Sequence, residues 1–231
     1  MADTTPSGSS ERGQTLRADL VPAPAVRRLS LYLRELESFL RHDRQTISSK
    51  QLGEALGLTD AQVRKDLAYF GQFGHPGIGY RVDELVTRIK CILGTDRTWN
   101  VLLVGAGNLG HALLSYRGFS KKGFQIVAVF DNDPEKVGQP IGPDERLIIQ
   151  PFSQVRQAVR EKDIQVAIIS VPAEVAQSVA DELVSAGIKG ILNFAPASLT
   201  VPESVPIASV DLAVHLEQLA FRISANQLAA Q

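Results

Sequence analysis

The feature that most constrains this chain is an apolar run ending in a glycine turn, VLLVGAGNLG, at residues 101–110. Its glycines have GxGxxG spacing, and they follow a predicted strand and open a predicted helix, as a dinucleotide-binding βαβ unit requires. The first glycine allows a tight turn, the second lets a pyrophosphate approach the backbone, and the third lets helix and strand pack closely. We therefore expect the pyrophosphate at this helix N-terminus, held by Gly105, Ala106, Gly107, Asn108, Leu109 and Gly110.

A second signal lies about 20 residues further on, where the apolar segment QIVAVFD ends at Asp131. A carboxylate at the end of the second strand accepts a hydrogen bond from a ribose 2′-hydroxyl and repels a 2′-phosphate. The sequence therefore predicts NAD(H) rather than NADP(H). The alternative is a purely structural turn at the glycines, with Asp131 as a solvated strand end.

The second half of the chain alternates apolar strands with helices, which predicts a mainly parallel sheet covered on both faces. We expect a Rossmann domain over residues 95–210 and a last helix within 211–231. Strands are predicted at 100–104, 125–131, 166–171, 190–194 and near 207–210, with a further one at 147–149. Helices are predicted near 109–116, 152–161, 173–186 and 212–228.

The first half, residues 21–94, predicts a winged helix-turn-helix domain. Leu29, Leu33 and Leu36, with Val26 and Leu40, share one helical face up to about residue 41. A short helix capped by Ser48 or Ser49 follows, and then one from about 60 to 70. The glycine-rich stretch GQFGHPGIGYRV predicts a hairpin, the wing, before a helix at 82–93.

In such a domain the third helix enters the major groove of DNA. Arg and Lys on it can reach guanine edges or phosphates, and Gln can reach an adenine edge. Serines at a helix start are suited to phosphates, and the wing to the backbone or minor groove. The candidate DNA-binding residues are Ser48, Ser49, Gln62, Arg64, Lys65, Tyr69, His75, Tyr80 and Arg81. Asp66 places a negative charge nearby, and the same topology also serves in protein–protein contacts.

Composition limits the remaining classes of protein. The one cysteine, Cys91, excludes an intrachain disulfide and a cysteine metal cluster, and we expect it to be buried. No apolar run approaches the roughly 18–20 residues of a membrane span, and the N-terminus lacks the apolar region of a secretory signal. A cytoplasmic protein with no metal and no membrane partner is expected. Residues 1–20 are polar and predicted to be a disordered tail.

Several motifs together resemble the Rex family of bacterial redox-sensing repressors. They are QVRKDLAYFG at 62–71, GIGY at 77–80, VGAGNLG at 104–110, FDNDPEKVG at 130–138 and AGIKGILNFAP at 186–196. The resemblance covers about 21–221. It implies a homodimer, with the C-terminal helix exchanged between subunits, that binds palindromic operator DNA and is released by NADH. NAD+ and NADH are then the cofactors.

The resemblance also implies how the two redox states are distinguished. The oxidised nicotinamide ring is positively charged and the reduced ring is neutral, so an apolar pocket favours the reduced form. Candidates for the nicotinamide pocket are Tyr116, Phe119, Val171, Pro172 and Phe194. Phe119, Pro172 and Phe194 are each equally compatible with an ordinary core position, and Tyr116 with a polar surface position.

The family pattern further implies a switch formed by a tyrosine, an acid and an arginine, which correspond to Tyr116, Asp211 and Arg34. Asp211 would bond Tyr116 in one state and Arg34 in the other. The alternative for Asp211 is a simple helix cap. Leu212 stands where some relatives have an aromatic residue, which puts stacking on the nicotinamide from that position in doubt.

Two other functions are compatible with parts of the sequence. The first is an NAD-dependent dehydrogenase with a helical accessory domain, but none of His42, His75, His111 and His215 has an evident carboxylate partner for proton transfer. The second is a cofactor-dependent module whose winged helix binds protein. No enzymatic activity is therefore predicted.

Overall fold

A computed structural model describes residues 21–74 and 77–229. The predicted tail at 1–20 and the candidate His75 lie outside this described part. The chain divides into two compact units, the first ending at Asp96 and the second beginning at Arg97. The domain boundary predicted from the sequence, at 94/95, lies two residues earlier than the one in the structure.

The first unit is helical, and its helices bury one apolar stripe each. Helix α1 turns Leu29, Tyr32, Leu33 and Leu36 inward, whereas Val26 and Leu40 are more than one-third exposed, contrary to the predicted stripe. The observed stripe therefore keeps Leu29, Leu33 and Leu36 and includes Ala25 and Tyr32 in place of Val26 and Leu40. The helices of this unit are α1 Ala23–Arg41, α2 Ser49–Leu56, α3 Asp60–Ala68 and α4 Val82–Leu93.

The turn between α2 and α3 is tight, as a helix-turn-helix requires. Gly57 ends α2 in the left-handed region at φ 67°, where glycine has no steric penalty. Ser48 caps α2 and Thr59 caps α3, each by accepting a backbone N–H through its hydroxyl. Gly53 in α2 lies against the backbone of Leu58, so a side chain there would force the two helices apart.

The wing differs in its pairing from the sequence prediction. Strand β2, Tyr80–Arg81, pairs in antiparallel fashion with β1, Thr46–Ile47, a strand that precedes α2 and was not predicted. The glycine-rich stretch therefore returns the chain to the start of the helix-turn-helix.

The prediction that Cys91 is buried is wrong, because this side chain is exposed. Residues 89 and 91 of a helix point to nearly opposite sides, and Ile89 takes the buried side.

The second unit is built on one twisted sheet with strand order β5-β6-β4-β3-β7-β8-β9. The pairs β6–β4, β4–β3, β3–β7, β7–β8 and β8–β9 are parallel, and β5 is an antiparallel edge strand that was not predicted. The strands are β3 Trp99–Val104, β4 Phe124–Asp131, β5 Pro140–Ile141, β6 Leu147–Pro151, β7 Ile164–Ile169, β8 Gly190–Asn193 and β9 Ile207–Ser209.

The two faces of this sheet are covered unequally. One face packs against α7, Val155–Glu161, and α8, Ala173–Ala186, and forms a continuous apolar core. The other face packs against α5, Asn108–Ser115, and the short α6, Gly118–Lys121. A helix predicted from 152 begins as a 3₁₀ turn and becomes α7 only at Val155.

The last helix, α9 at Leu212–Ala229, buries none of its large apolar side chains. Phe221 is 73% exposed, and an amphipathic helix normally buries such a side chain against a core. The other exposed apolar residues of α9 are Leu212, Val214, Leu216, Leu219, Ile223 and Leu228. Among the described residues, no helix is long and apolar enough to cross a membrane.

Candidate functional site

The glycine turn predicted from the sequence lies between β3 and α5. Gly105 has φ 101°, and a side chain there would collide with the carbonyl oxygen of Ser170 at the end of the neighbouring strand β7. The Ser170 hydroxyl donates to the Gly105 carbonyl oxygen at 3.0 Å, which joins the ends of the two strands. A side chain at Gly110 would collide with the same Gly105 carbonyl, so α5 packs directly on the turn.

Gly107 differs from the other two glycines of the turn. It is the N-cap residue of α5, its φ is −87°, and a Cβ there would meet no atom within 4 Å. The fold therefore does not need a glycine at this position, and the open space lies where the first amides of α5 have no intrahelical acceptor. A cradle that one Cβ would fill, in front of unpaired amide donors, fits a pyrophosphate.

Asp131 lies at the end of β4, beside this cradle. Its Oδ2 accepts the Ala106 N–H at 2.8 Å and its Oδ1 accepts the Asp133 N–H at 2.9 Å, while Lys136 Nζ lies 3.4 Å from Oδ2. Burial by itself would raise the pKa of Asp131, but the hydrogen bonds from Asp133 and Ala106 and the charge of Lys136 outweigh it and lower that pKa. The side chain is therefore a carboxylate at neutral pH, and its oxygens retain lone pairs for a hydroxyl donor.

The carboxyl end of β8 continues this edge of the sheet. The Asn193 side chain is fully buried, accepts the Ala195 N–H at 2.9 Å and donates to the carbonyl oxygens of Ala195 and Ala197. It thereby holds the turn that carries the half-buried Phe194. Sequence reasoning missed Asn193 because the predicted strand at 190–194 contained it; an asparagine near a strand end is a turn signal that could have identified it.

The candidates for a nicotinamide pocket are not all brought together within one chain. Val171 packs with the core of α7 and α8, whereas Phe194 packs on the α5 face of the sheet. Pro172 is the exposed N-cap residue of α8. All three follow strand ends at the edge that carries Gly105 and Asp131, so they border the cradle from different faces.

Tyr116 and Phe119 lie elsewhere in the second unit. Tyr116 is the C-cap residue of α5, so the length of the helix, about 12 Å for eight residues, separates it from the glycine turn. Its ring is 60% exposed and contacts the Phe119 ring edge to face, with centroids 5.1 Å apart. Both line a depression of about 470 Å³ with Arg117, Ile126 and Arg146, near the amino ends of the strands.

The predicted switch residues have separate environments. Asp211 caps α9, with Oδ1 accepting the N–H groups of Ala213 at 2.9 Å and Val214 at 3.2 Å. In the described part of one chain, Asp211 and Tyr116 share no hydrogen bond. Arg34 is exposed on α1 of the first unit.

In the first unit, several predicted DNA-binding residues surround one depression of about 660 Å³. Arg64 lies on α3, and its Nη1 donates to Asp60 at 2.7 Å and to the Ser49 hydroxyl at 3.1 Å. The depression is lined by Ser48, Ser49 and Arg64 and by the wing residues Gly77–Tyr80. Lys65 and Tyr69 are exposed on α3.

Three candidates are buried or already paired with other residues of the first unit. Tyr80 is buried in the apolar core because β2 points it inward and Arg81 outward, and burial raises the pKa of Tyr80. Arg81 pairs with Asp83 at 3.0 Å and Glu84 at 3.2 Å. Gln62 donates through Nε2 to Asp66 at 2.8 Å, so one of its two amide hydrogens is already used within the protein.

From the sequence, Asp66 placed a negative charge near the candidate DNA-binding residues, but in the structure this side chain is buried. Its carboxylate is buried beneath α3, where it pairs with Arg28, so it adds no exposed negative charge to the helix face.

Among the described histidines, His42 and His215 contact backbone carbonyl oxygens. The described residues contain no group of three or more His, Cys, Asp or Glu side chains able to hold a metal ion.

Comparison with known proteins gives matches to both units. The "CoA binding domain" family model matches residues 96–197, and the "Putative DNA-binding protein N-terminus" model matches residues 20–68. The redox-sensing transcriptional repressor Rex of Carboxydothermus hydrogenoformans is 52% identical over 203 residues, which cover 88% of this chain and 96% of that protein.

Solved structures also match this chain over most of its length. A crystal structure of RSP with β-NAD+ and operator DNA superposes with a TM-score of 0.86 at 38% identity, covering 91% of this chain and 96% of that one. A structure of RSP with β-NADH superposes with a TM-score of 0.81 at 36% identity, covering 91% and 98%.

The open cradle at Gly107 leads to a prediction. Gly107→Ala should leave the stability of the fold unchanged and lower the affinity for β-NADH at least about tenfold, because the added methyl occupies the approach to the pyrophosphate. Binding is measured by fluorescence of the reduced nicotinamide and stability by urea unfolding. Gly190→Ala is the matched control, because a Cβ there would meet only ordinary contacts near 3.8 Å. Equal β-NADH affinity of the two variants would contradict the assigned cradle.

Proposed function

The chain belongs to the Rex family of redox-sensing transcriptional repressors, and on this basis we propose how its residues bind operator DNA and respond to NADH. It is a DNA-binding repressor that senses the ratio of NADH to NAD+. The observation that carries the proposal is the presence, in one chain, of a helix-turn-helix with exposed Arg64 and Lys65 and a glycine cradle next to an ionised Asp131. Its relatives are repressors, so we do not retain the alternative hypothesis of an NAD-dependent dehydrogenase.

We divide the chain into a DNA-binding domain at 21–94, a dinucleotide-binding domain at 95–210 and an exchanged helix at 211–231. Arg64, Lys65 and Tyr69 would face the major groove, and Ser48 and Ser49 would face phosphates at the start of α2. Arg64 is already held by Asp60 and Ser49, which limits the side-chain entropy lost on binding. Since operator DNA and the NADH pool of a bacterium share one compartment, the proposed location is the cytoplasm.

The residues 105–110 and Asp131 would hold the dinucleotide by its pyrophosphate and its adenosine ribose. Because burial of an unpaired charge is costly, the apolar side chains of Val171, Pro172 and Phe194 would favour the neutral reduced ring over the cationic oxidised ring. The ligand can release DNA only to the extent that it binds the released state more tightly. A tenfold effect needs a difference of about 1.4 kcal/mol.

The direct test is an operator gel-shift titrated separately with NADH, NAD+ and NADPH. NADH should release the DNA, NAD+ should have little effect, and NADPH should act at concentrations at least about tenfold higher, because Asp131 repels its 2′-phosphate. Asp131→Ser should bring the concentrations of NADPH and NADH needed for operator release closer together.

Operator binding should also weaken steeply with salt, since phosphate contacts release counterions. Binding that ignores salt, or release by NADPH as readily as by NADH, would contradict the proposal.

A homodimer is the assembly that the second unit favours. The apolar side chains of α9 are exposed in one chain. An apolar depression of about 390 Å³ also opens on the α5 face of the sheet, and it is lined by buried and partly buried side chains that include Val101, Ile126, Val166, Ile168 and Leu192. Exposed apolar patches of this kind mark interaction sites. We propose that α9 is exchanged between two copies, so that its apolar side chains are buried by the partner.

Substitution in α9 tests this assembly. Phe221→Glu should convert the dimer to a monomer in sedimentation velocity, because a charge would be buried without a partner in the interface. Gln227→Glu adds the same charge at an exposed polar position of α9 and serves as the control. It should remain dimeric. A Phe221→Glu chain that stays dimeric at micromolar concentration would show that α9 is not the interface.

The proposed switch pairs Asp211 with Tyr116 in one state and with Arg34 in the other. Because Asp211 also caps α9, the cap and the charge must be separated experimentally. Asp211→Asn retains a good N-cap residue and removes the charge, whereas Asp211→Ala removes both. We expect both variants to bind NADH but to require at least about fivefold more of it for operator release. If Asp211→Asn responds as the wild type and only Asp211→Ala is impaired, Asp211 is a cap alone.

A further inference from the structure

The recognition helix α3 contains a carboxylate that points into the protein. Asp66 is fully buried, and it is hydrogen-bonded by three side chains, two of them on α1. Arg28 donates through Nε and Nη2 to both carboxylate oxygens at 2.5 and 2.7 Å, and the Tyr32 hydroxyl donates to Oδ2 at 2.7 Å. Gln62, one turn earlier on α3, donates to Oδ1 at 2.8 Å. We call these four residues the Asp66 cluster.

The cluster is stable as an ionised group. Burial would raise the pKa of Asp66, but the hydrogen bonds from Arg28, Tyr32 and Gln62 outweigh it, and the pKa is lowered. The bond to Asp66 raises the pKa of Arg28, and burial together with the bond to Asp66 raises that of Tyr32. The carboxylate, guanidinium and phenol therefore keep one protonation state near neutral pH, and the geometry does not vary with pH there.

The apolar packing of α3 uses few of its own side chains. The helix has nine residues, and its fully buried apolar side chains are Val63 and Leu67. Apolar contacts are non-directional, so they define the rotation of a short helix less sharply than a directional bond does. A bidentate guanidinium–carboxylate pair, by contrast, fixes both distance and orientation.

Rotation of α3 matters because Arg64 and Lys65 flank Asp66 on the same helix. The ends of helical side chains lie about 5–6 Å from the axis, so a rotation of about 20° displaces them by about 2 Å. Base readout requires hydrogen-bond geometry, whereas contact with phosphates tolerates such displacement.

We propose that Asp66 is a positioning residue for operator recognition, which fixes the rotation of α3 on α1 and makes these helices move as one body. This inference rests on the proposed function. It places Gln62 in the cluster instead of among the base-reading side chains. It also gives α1 a role in transmission, because Arg34, the proposed partner of Asp211, lies on the same helix as Arg28 and Tyr32.

The experiment compares full-length variants for binding to a palindromic operator, to a non-operator duplex and to NADH. Tyr32→Phe removes one hydrogen-bond donor with little change of shape. Asp66→Asn removes the negative charge. The double variant Arg28→Met/Asp66→Leu removes both charges, so that no unpaired charge remains to destabilise the fold. Urea unfolding reports the stability of each chain.

We expect Asp66→Asn and the double variant to lose at least about tenfold in operator affinity, and Tyr32→Phe about threefold, because base contacts depend on geometry. Affinity for the non-operator duplex and for NADH should stay within about twofold. Ile89→Ala, which cuts into the core of the same unit at a fully buried position outside the cluster, is the control for lost stability. Its operator affinity should stay within about twofold wherever the chain remains folded.

Two outcomes would overturn the inference while leaving the proposed function intact. One is a double variant that binds the operator as tightly as the wild type, which would make the cluster only structural. The other is an Ile89→Ala chain that loses as much operator affinity as Asp66→Asn at equal stability. If the wild-type chain itself fails to bind the operator, the proposed function fails, and the inference falls with it.

Discussion

Helix α5 begins where strand β3 ends because the backbone at Gly105 and Gly110 approaches more closely than any side chain would permit. Gly105 adopts a left-handed conformation against the end of β7, and Gly110 lies on the Gly105 carbonyl. This contact aims the first amides of α5 at the carboxyl edge of the sheet. The ends of β4, β7 and β8 meet at the same edge because all of these strands are parallel. The position of the proposed dinucleotide site therefore depends on this one close approach.

The two units use buried polar groups to hold their functional segments. In the second unit, Asn193 holds the turn that carries Phe194, and Ser170 joins the end of β7 to the glycine turn. In the first unit, Asp66 joins the recognition helix to α1. In each case a directional hydrogen bond fixes an orientation that apolar packing leaves free. The polar groups thus lie just beneath the residues that would contact ligand or DNA.

The exposed apolar surface of the second unit has a different meaning. Helix α9 presents large apolar side chains to solvent, and an open apolar depression lies on the α5 face of the sheet. A single chain leaves this area in contact with water, and the free energy gained by covering it favours association of two copies. Sensing in one subunit would then be coupled to the position of its partner. This coupling suits a repressor that recognises a palindrome, because two reading helices must hold a fixed spacing.

The sequence by itself determined the features that depend on local patterns. The GxGxxG spacing, the acid at the end of the second strand and the alternation of apolar strands with helices predicted the Rossmann architecture, and the cap residues and turn glycine predicted the helix-turn-helix. Only the tertiary structure decided which polar side chains point inward. Asp66 and Tyr80 read as surface residues from their sequence neighbours, but Asp66 is held by Arg28, 38 residues away in the chain, and Tyr80 lies in the apolar core. Periodicity reports which face of an element is apolar, whereas a buried hydrogen bond depends on a second element whose position no local pattern specifies.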